Sequence, residues 1–178
     1  MDLGGGRHID KAKTPDDLLQ DPLVTGILAP CRVETVAEDV LRATAEESAR
    51  RGTLVRAHAT QELSEREIIR ERYDATPLEH LASVGLLNDR LILAHGVYLD
   101  VHPAVLGRDT GELSILAGAG VSIVHCPLTN ARYAFLLEKL SQYLAQGVNI
   151  ALGTDSFPPD LIRAIDTGVQ TAKAQHGS

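Results

Sequence analysis

Residues 91–100, LILAHGVYLD, set the pattern for the whole chain: a short apolar run, Leu91 to Ala94, hands over to a single histidine, His95. The same arrangement occurs three more times. TLVRA leads to His58, VSIV to His125 and NIALGT to Asp155. The steps between these side chains are 37, 30 and 30 residues, about the length of one strand, helix, strand unit of a parallel sheet. In such sheets the carboxyl ends of the strands share one rim, where ligands and catalytic groups collect. The spacing therefore reads His58, His95, His125 and Asp155 as one site.

The rest of the composition is compatible with that reading. A chain of 178 residues fits about one domain with a substantial core. Apolar residues at 44% and charged residues at 23% are ordinary globular usage, which argues against a disordered or fibrous protein. Aromatics are only 3%, so Leu, Val, Ile and Ala must fill the interior. A formal charge of −7 and a pI near 5.4 speak against a nucleic-acid partner, whose binders present a basic face. No apolar run approaches the ~18 residues of a membrane span, and MDLGGGRHID lacks the apolar core of a signal peptide. The expected location is cytoplasmic. Cys31 and Cys126 each neighbour a proline at the end of a predicted strand, and a reducing compartment keeps them as thiols.

Residues 1–22 read as a leader of loop and one short helical turn, capped by Thr14 with Pro15 at the first helical position. Residues 23–178 read as one α/β unit. Five strands are expected, at Leu23–Ala29, Thr53–Ala57, Leu91–Val97, Val121–Val124 and Val148–Leu152, the second with β-branched and apolar residues that suit a sheet covered on both faces. Capping-box patterns start helices at Thr35 with Glu38, Ser64 with Glu67, and Thr76 with Glu79. The first of these helices places Val36, Val40, Leu41 and Ala45 on one side and runs to about Arg51. The others end near Tyr73 and Val84, where Gly85 acts as a stop. Further helices are expected over Glu112–Ala117, over Arg132–Ala145 and at the end of the chain near His176, while HCPLTN reads as a loop. Strict alternation of strand and helix argues for right-handed crossovers.

Imidazole and carboxylate suit a divalent metal such as zinc, whose catalytic sites keep one position open for water. His58, His95 and Asp155 are ligands of the right kind at the right strand ends. A histidine after a strand is by itself unremarkable; four such side chains in successive units are not. His125 opens the HCP turn, where it can donate to a substrate atom or stabilise a developing oxyanion. Asp155 lies in GTDS, a turn through which backbone approaches a ligand, and its carboxylate can bind metal and take a proton from water. Asn130 and Ser156, in the same two turns, are candidates for substrate binding with His125. His8, His80, His102 and His176, and the glutamates between Glu62 and Glu71, read as solvated surface.

The stretches LAPCRVETVAEDVLRATAEESARRG, VRAHATQ, LLNDRLILAHGVYLD, GVSIVHCPLTNARYA and GVNIALGTDS resemble the amidohydrolase superfamily, in the branch of nucleobase deaminases and triazine hydrolases. The resemblance implies a partial TIM-type (β/α) barrel whose five strands correspond to the fourth through eighth. It further implies one divalent metal, zinc or else iron, bound by His58, His95 and Asp155, with His125 binding substrate and Asp155 shuttling the proton. The expected reaction is hydrolysis of a carbon–nitrogen bond, deamination or dechlorination of a small nitrogen heterocycle. Two departures stand out. Where most deaminases of this branch carry a catalytic glutamate three residues after the first of these histidines, this chain has Gln61, and an amide cannot carry a proton. Glu62 substitutes, Asp155 works alone, or the reaction differs. The second departure is the lack of any His-x-His pair, the family's further source of ligands, together with the first three strands. Such a half-barrel exposes sheet edges, which favours homo-oligomers or other association. The competing expectation is a non-catalytic remnant or oligomeric binding module; a phosphate-binding loop is disfavoured, because Gly4 to Gly6 precede no strand and helix pair.

Overall fold

The computed structural model describes residues 25–107, 110–156 and 158–176. The leader, with Thr14, Pro15 and His8, lies outside them. Four parallel strands make one sheet in the order β1-β2-β3-β4: β1 Val55–Ala59, β2 Leu91–His95, β3 Ser122–His125 and β4 Asn149–Leu152. The register aligns Ala59 with His95 and His125 with Leu152, so the strands end along one rim. The crossovers carry α1 Glu38–Arg51 before β1, α2 Leu63–Tyr73 and α3 Pro77–Ser83 before β2, and α4 Glu112–Ala119 before β3. Helices α5 Pro127–Arg132 and α6 Leu140–Ala145 precede β4, and α7 Leu161–His176 follows it.

The core lies between one face of the sheet and the helices. Val55, Leu91, Leu93 and Ile123 pack there against Leu41, Leu78, Leu81, Leu116 and Tyr143. Burying a Val, Leu or Ile side chain stabilises a fold by about 1.5–3 kcal/mol, which makes this layer the main support of the rim. The opposite face is only partly covered: Arg56 and Ala151 are exposed, and His58, Ile92, Ser122 and Val124 half-buried. The expectation of a sheet covered on both faces is corrected accordingly.

Of the expected first strand, Leu23–Ala29, residues 23 and 24 lie outside the described residues, and the described part, 25–29, forms no strand. Residues 25–32 touch β1 only through isolated bridges, Leu28 with Val55 and Arg32 with His58. Pro30 has no N–H to donate, and Cys31 turns the chain with φ 49°, so a ladder cannot continue between the bridges. Two capping boxes also fail. The Thr35 hydroxyl donates instead to the Arg32 carbonyl in a single 3-10 turn, Val33–Thr35. Helix α1 starts behind Ala37, with Val40 exposed rather than inward. Helix α2 starts at Leu63, before Ser64. The third box is complete: Thr76 accepts from the Glu79 amide and Glu79 from the Thr76 amide.

The expected helix over Arg132–Ala145 divides. HCPLTN, read as a loop, begins α5, after which Ala134 and Lys139 take left-handed conformations, φ 60° and 57°, and only Leu140–Ala145 is helical. The break brings Phe135 to the rim. His80 and His102 are buried, contrary to the surface reading; His80 stacks on Tyr73 with ring centroids 4.0 Å apart, and His102 meets Tyr98 edge-on at 4.5 Å. Glu65 is buried as well. Both cysteines are free.

Candidate functional site

Strand β1 delivers His58, and the segment after it carries Gln61 and Glu62. That segment is pinned from beneath. The Glu65 carboxylate, reaching back from the first turn of α2, accepts from the backbone amides of Thr60 at 2.5 Å and Gln61 at 3.0 Å. Burial pushes the Glu65 carboxyl up to about 7, against the lowering effect of those two amides. The Thr60 carbonyl in turn accepts from the amides of Val97 and Tyr98, at 3.0 and 2.8 Å. The loops after β1 and β2 are thus fastened to each other.

His95 closes β2 in a left-handed conformation, φ 76°, followed by Gly96 at φ 61°. A non-glycine residue there is strained and persists only where its surroundings fix it. This turn is why β2 ends two residues before the expected Val97. The His95 ring is buried, with Nδ1 3.4 Å from the Asn130 side-chain oxygen, and the Asn130 amide nitrogen is 3.4 Å from His125 Nδ1. That arrangement leaves Nε2 of His95 facing Asp155, 3.9 Å from Oδ2. Burial lowers the pKa of His95, opposed by the Asp155 charge, and burial with the nearby His95 pushes His125 down to about 4. Both rings are therefore neutral near pH 7.

A cavity of about 550 Å³ opens at this rim, lined by His58, Gln61, His95, Asp155 and Ser156 among the expected residues. His125 and Asn130 are not among its lining; they lie behind His95, linked to it in a row. Sequence reasoning missed Arg32, Thr129, Tyr133 and Phe135, which also line the cavity. Phe135 meets His95 edge-on at 6.5 Å and stacks near Tyr133 at 6.3 Å. A signal for these two existed: with six Phe and Tyr in the chain, Tyr133 and Phe135 fall directly after HCPLTN. Arg32 pairs with Glu34 at 2.5 Å and with Glu62 at 3.3 Å on the cavity wall.

The sequence profile of the amidohydrolase family matches residues 9–177. The chain belongs to the amidohydrolase family. A 5-methylthioadenosine/S-adenosylhomocysteine deaminase from Archaeoglobus fulgidus is 36% identical over 132 residues, 74% of this amidohydrolase chain and 30% of the relative. The crystal structure of an adenosine deaminase from Xanthomonas campestris with bound zinc superposes with a TM-score of 0.79 at 28% identity, covering 92% of this chain and 36% of that one. A mutant atrazine chlorohydrolase from Arthrobacter aurescens, complexed with zinc and atraton, gives a TM-score of 0.67 at 27% identity, covering 78% of this chain and 29% of the other. The chain thus spans about a third of the length of the relatives it matches, and its four-stranded parallel sheet is part of the amidohydrolase barrel.

The donor chemistry fits a metal. Nδ1 of His58 is buried without a hydrogen-bond partner, and its ring centroid is 5.5 Å from that of His95. Two ligands about 2.0–2.1 Å from a tetrahedral zinc stand roughly 3.4 Å apart, close to the separation of His95 Nε2 and Asp155 Oδ2. Among the described residues no three His, Cys, Asp or Glu side chains already close on one point. The side chains that line the cavity nonetheless include two imidazoles, His58 and His95, and the Asp155 carboxylate, a set suited to zinc.

Proposed function

We propose that this chain carries the metal-dependent hydrolytic half of an amidohydrolase site, removing an amino or chloro substituent from a small nitrogen heterocycle. The observation that carries the reading is the meeting of His95 Nε2 and Asp155 Oδ2 in a cavity that also holds His58 and an aromatic wall of Tyr133 and Phe135. His58, His95 and Asp155 would hold the metal, zinc or else iron. Such a metal supplies Lewis acidity that brings the pKa of water toward neutrality. Asp155, with its side chain 22% exposed, accepts the proton from the attacking water at a carboxylate oxygen and returns it to the leaving group. Glu62, on the same wall, is the second carboxylate within the cavity, while Gln61 binds by hydrogen bonds only. His125, with Asn130, fixes the His95 ring so that Nε2 faces inward; Phe135 and Tyr133 offer faces for a planar heterocycle. Ser156 supplies a hydroxyl toward the same ligand.

The relatives that are methylthioadenosine/S-adenosylhomocysteine and adenosine deaminases favour an aminopurine nucleoside as the first substrate to try. The purified chain should bind about one zinc, lose it in a His95→Ala variant, and release ammonia from such a nucleoside. Failure to take up zinc at any loading overturns the reading.

A further inference from the structure

The His95–Gly96 turn is held from a third side by a residue distant in sequence. Tyr143, buried on α6, donates its hydroxyl to the Gly96 carbonyl at 2.8 Å. On the other side Ile123 closes the space: a Cβ on Gly96 would lie 2.8 Å from Ile123 Cδ1. The backbone amides that follow, of Val97 and Tyr98, are tied to Thr60. The carbonyl between the strained histidine and those amides has no such strand partner, and a buried carbonyl left unpaired is costly. Burial, then the neighbouring acids Glu112 and Asp100, raise the Tyr143 phenol above its ordinary value, so the group remains a donor across the working pH range.

We infer that Tyr143 is a positioning residue for His95, its hydroxyl holding the Gly96 carbonyl and thereby the left-handed turn that presents Nε2 of His95 to Asp155. The inference rests on the proposed role of His95 as a metal ligand. Tyr143 is not among the residues that line the cavity. It acts one residue beyond the ligand, through the backbone, where partners of a ligand commonly govern affinity by 10–100-fold.

Tyr143→Phe keeps the ring and removes only the donor. Zinc affinity, read by competition with a chromophoric chelator, should fall about tenfold, and the visible absorption of the cobalt-loaded protein should shift in band shape. The melting temperature of the metal-free protein should fall too, because the buried Gly96 carbonyl loses its donor; a purely structural role shares that loss but leaves the zinc affinity and the cobalt spectrum of the folded variant unmoved. Zinc affinity within twofold of the parent, with an unshifted cobalt spectrum, overturns the inference and leaves the proposed function standing. A parent chain that binds no zinc overturns both. Should Tyr143→Phe not fold, the unsubstituted chain decides the matter. With tyrosine and histidine isotopically labelled, the Tyr143 ring signals should move with zinc at the same midpoint as those of His95; Tyr143 signals indifferent to zinc overturn it.

Discussion

Asp155 adopts a left-handed backbone conformation, φ 57°, which asparagine tolerates better than most non-glycine residues. Asp155→Asn therefore preserves the turn while removing the proton acceptor. Turnover should drop by at least ~100-fold with a melting temperature near that of the parent, and undiminished ammonia release would remove Asp155 from the chemistry. Glu65→Gln places an amide nitrogen where two backbone N–H groups now find oxygens. The loss should be about 1–3 kcal/mol in chemical denaturation. His80 is buried on Tyr73, beside α1 with Glu38 and Arg42, and burial lowers its pKa. Its folded-state pKa lies below the unfolded one, so the unfolded chain takes up the proton first, and stability is lost as pH falls below about 6.5. Glu65, raised to about 7, has the opposite sign, its contribution fading as pH rises toward that value. Melting curves from pH 7 to 5 should fall less steeply for His80→Phe than for the parent. That His58, His95 and Asp155 reach one rim was legible in the strand spacing; the same spacing also pointed to His125, which is not among the residues lining the cavity. The burial of His80 and Glu65 was not legible, since it depends on which face of a charged helix the distant chain covers.

At the scale of single elements, α3 is the helix whose start the sequence specifies most fully, with Pro77 at its first position and a reciprocal box between Thr76 and Glu79. Thr76→Ala should cost about 1 kcal/mol, measured by urea denaturation, whereas Ser64→Ala should fall within about 0.5 kcal/mol of zero. The contrast explains why two of three Ser/Thr-x-x-Glu patterns misled. Thr35 spends its hydroxyl on the Arg32 carbonyl, and the start of α2 is set by the Glu65 clamp on the preceding loop rather than by Ser64. The split between α5 and α6 was hidden for a similar reason. Tyr133, Leu136, Leu137, Leu140 and Leu144 have helical spacing, yet Leu137 enters the core while Tyr133 and Leu144 are exposed, a division that one helix face cannot achieve.

In the molecule as a whole, β1 and β4 are the outer strands of the sheet among the described residues. The exposed apolar side chains Leu152, at the end of β4, and Leu161, Ile162, Ile165 and Val169, on α7, lie on the β4 side of the sheet. Apolar surface next to a strand edge favours self-association. Sedimentation over a range of concentrations should show species larger than the monomer, reduced by Ile162→Glu; a monomer at every concentration would count against that role. Among the described residues no helix is long and apolar enough to cross a membrane.

The parallel pairing distributes rigidity unevenly. Strands β2 and β3 have a partner on either flank, whereas among the described residues β4 is paired on one flank only. Amide protons of β2 and β3 should accordingly resist exchange with deuterium longest, and those of β4 should exchange early. His95 stands at the end of the slow region and Asp155 just past the fast one. Anything lodged between them spans a stiff bank and a soft one, so occupancy should register chiefly as slowed deuterium uptake in β4, before any change at β2 is visible.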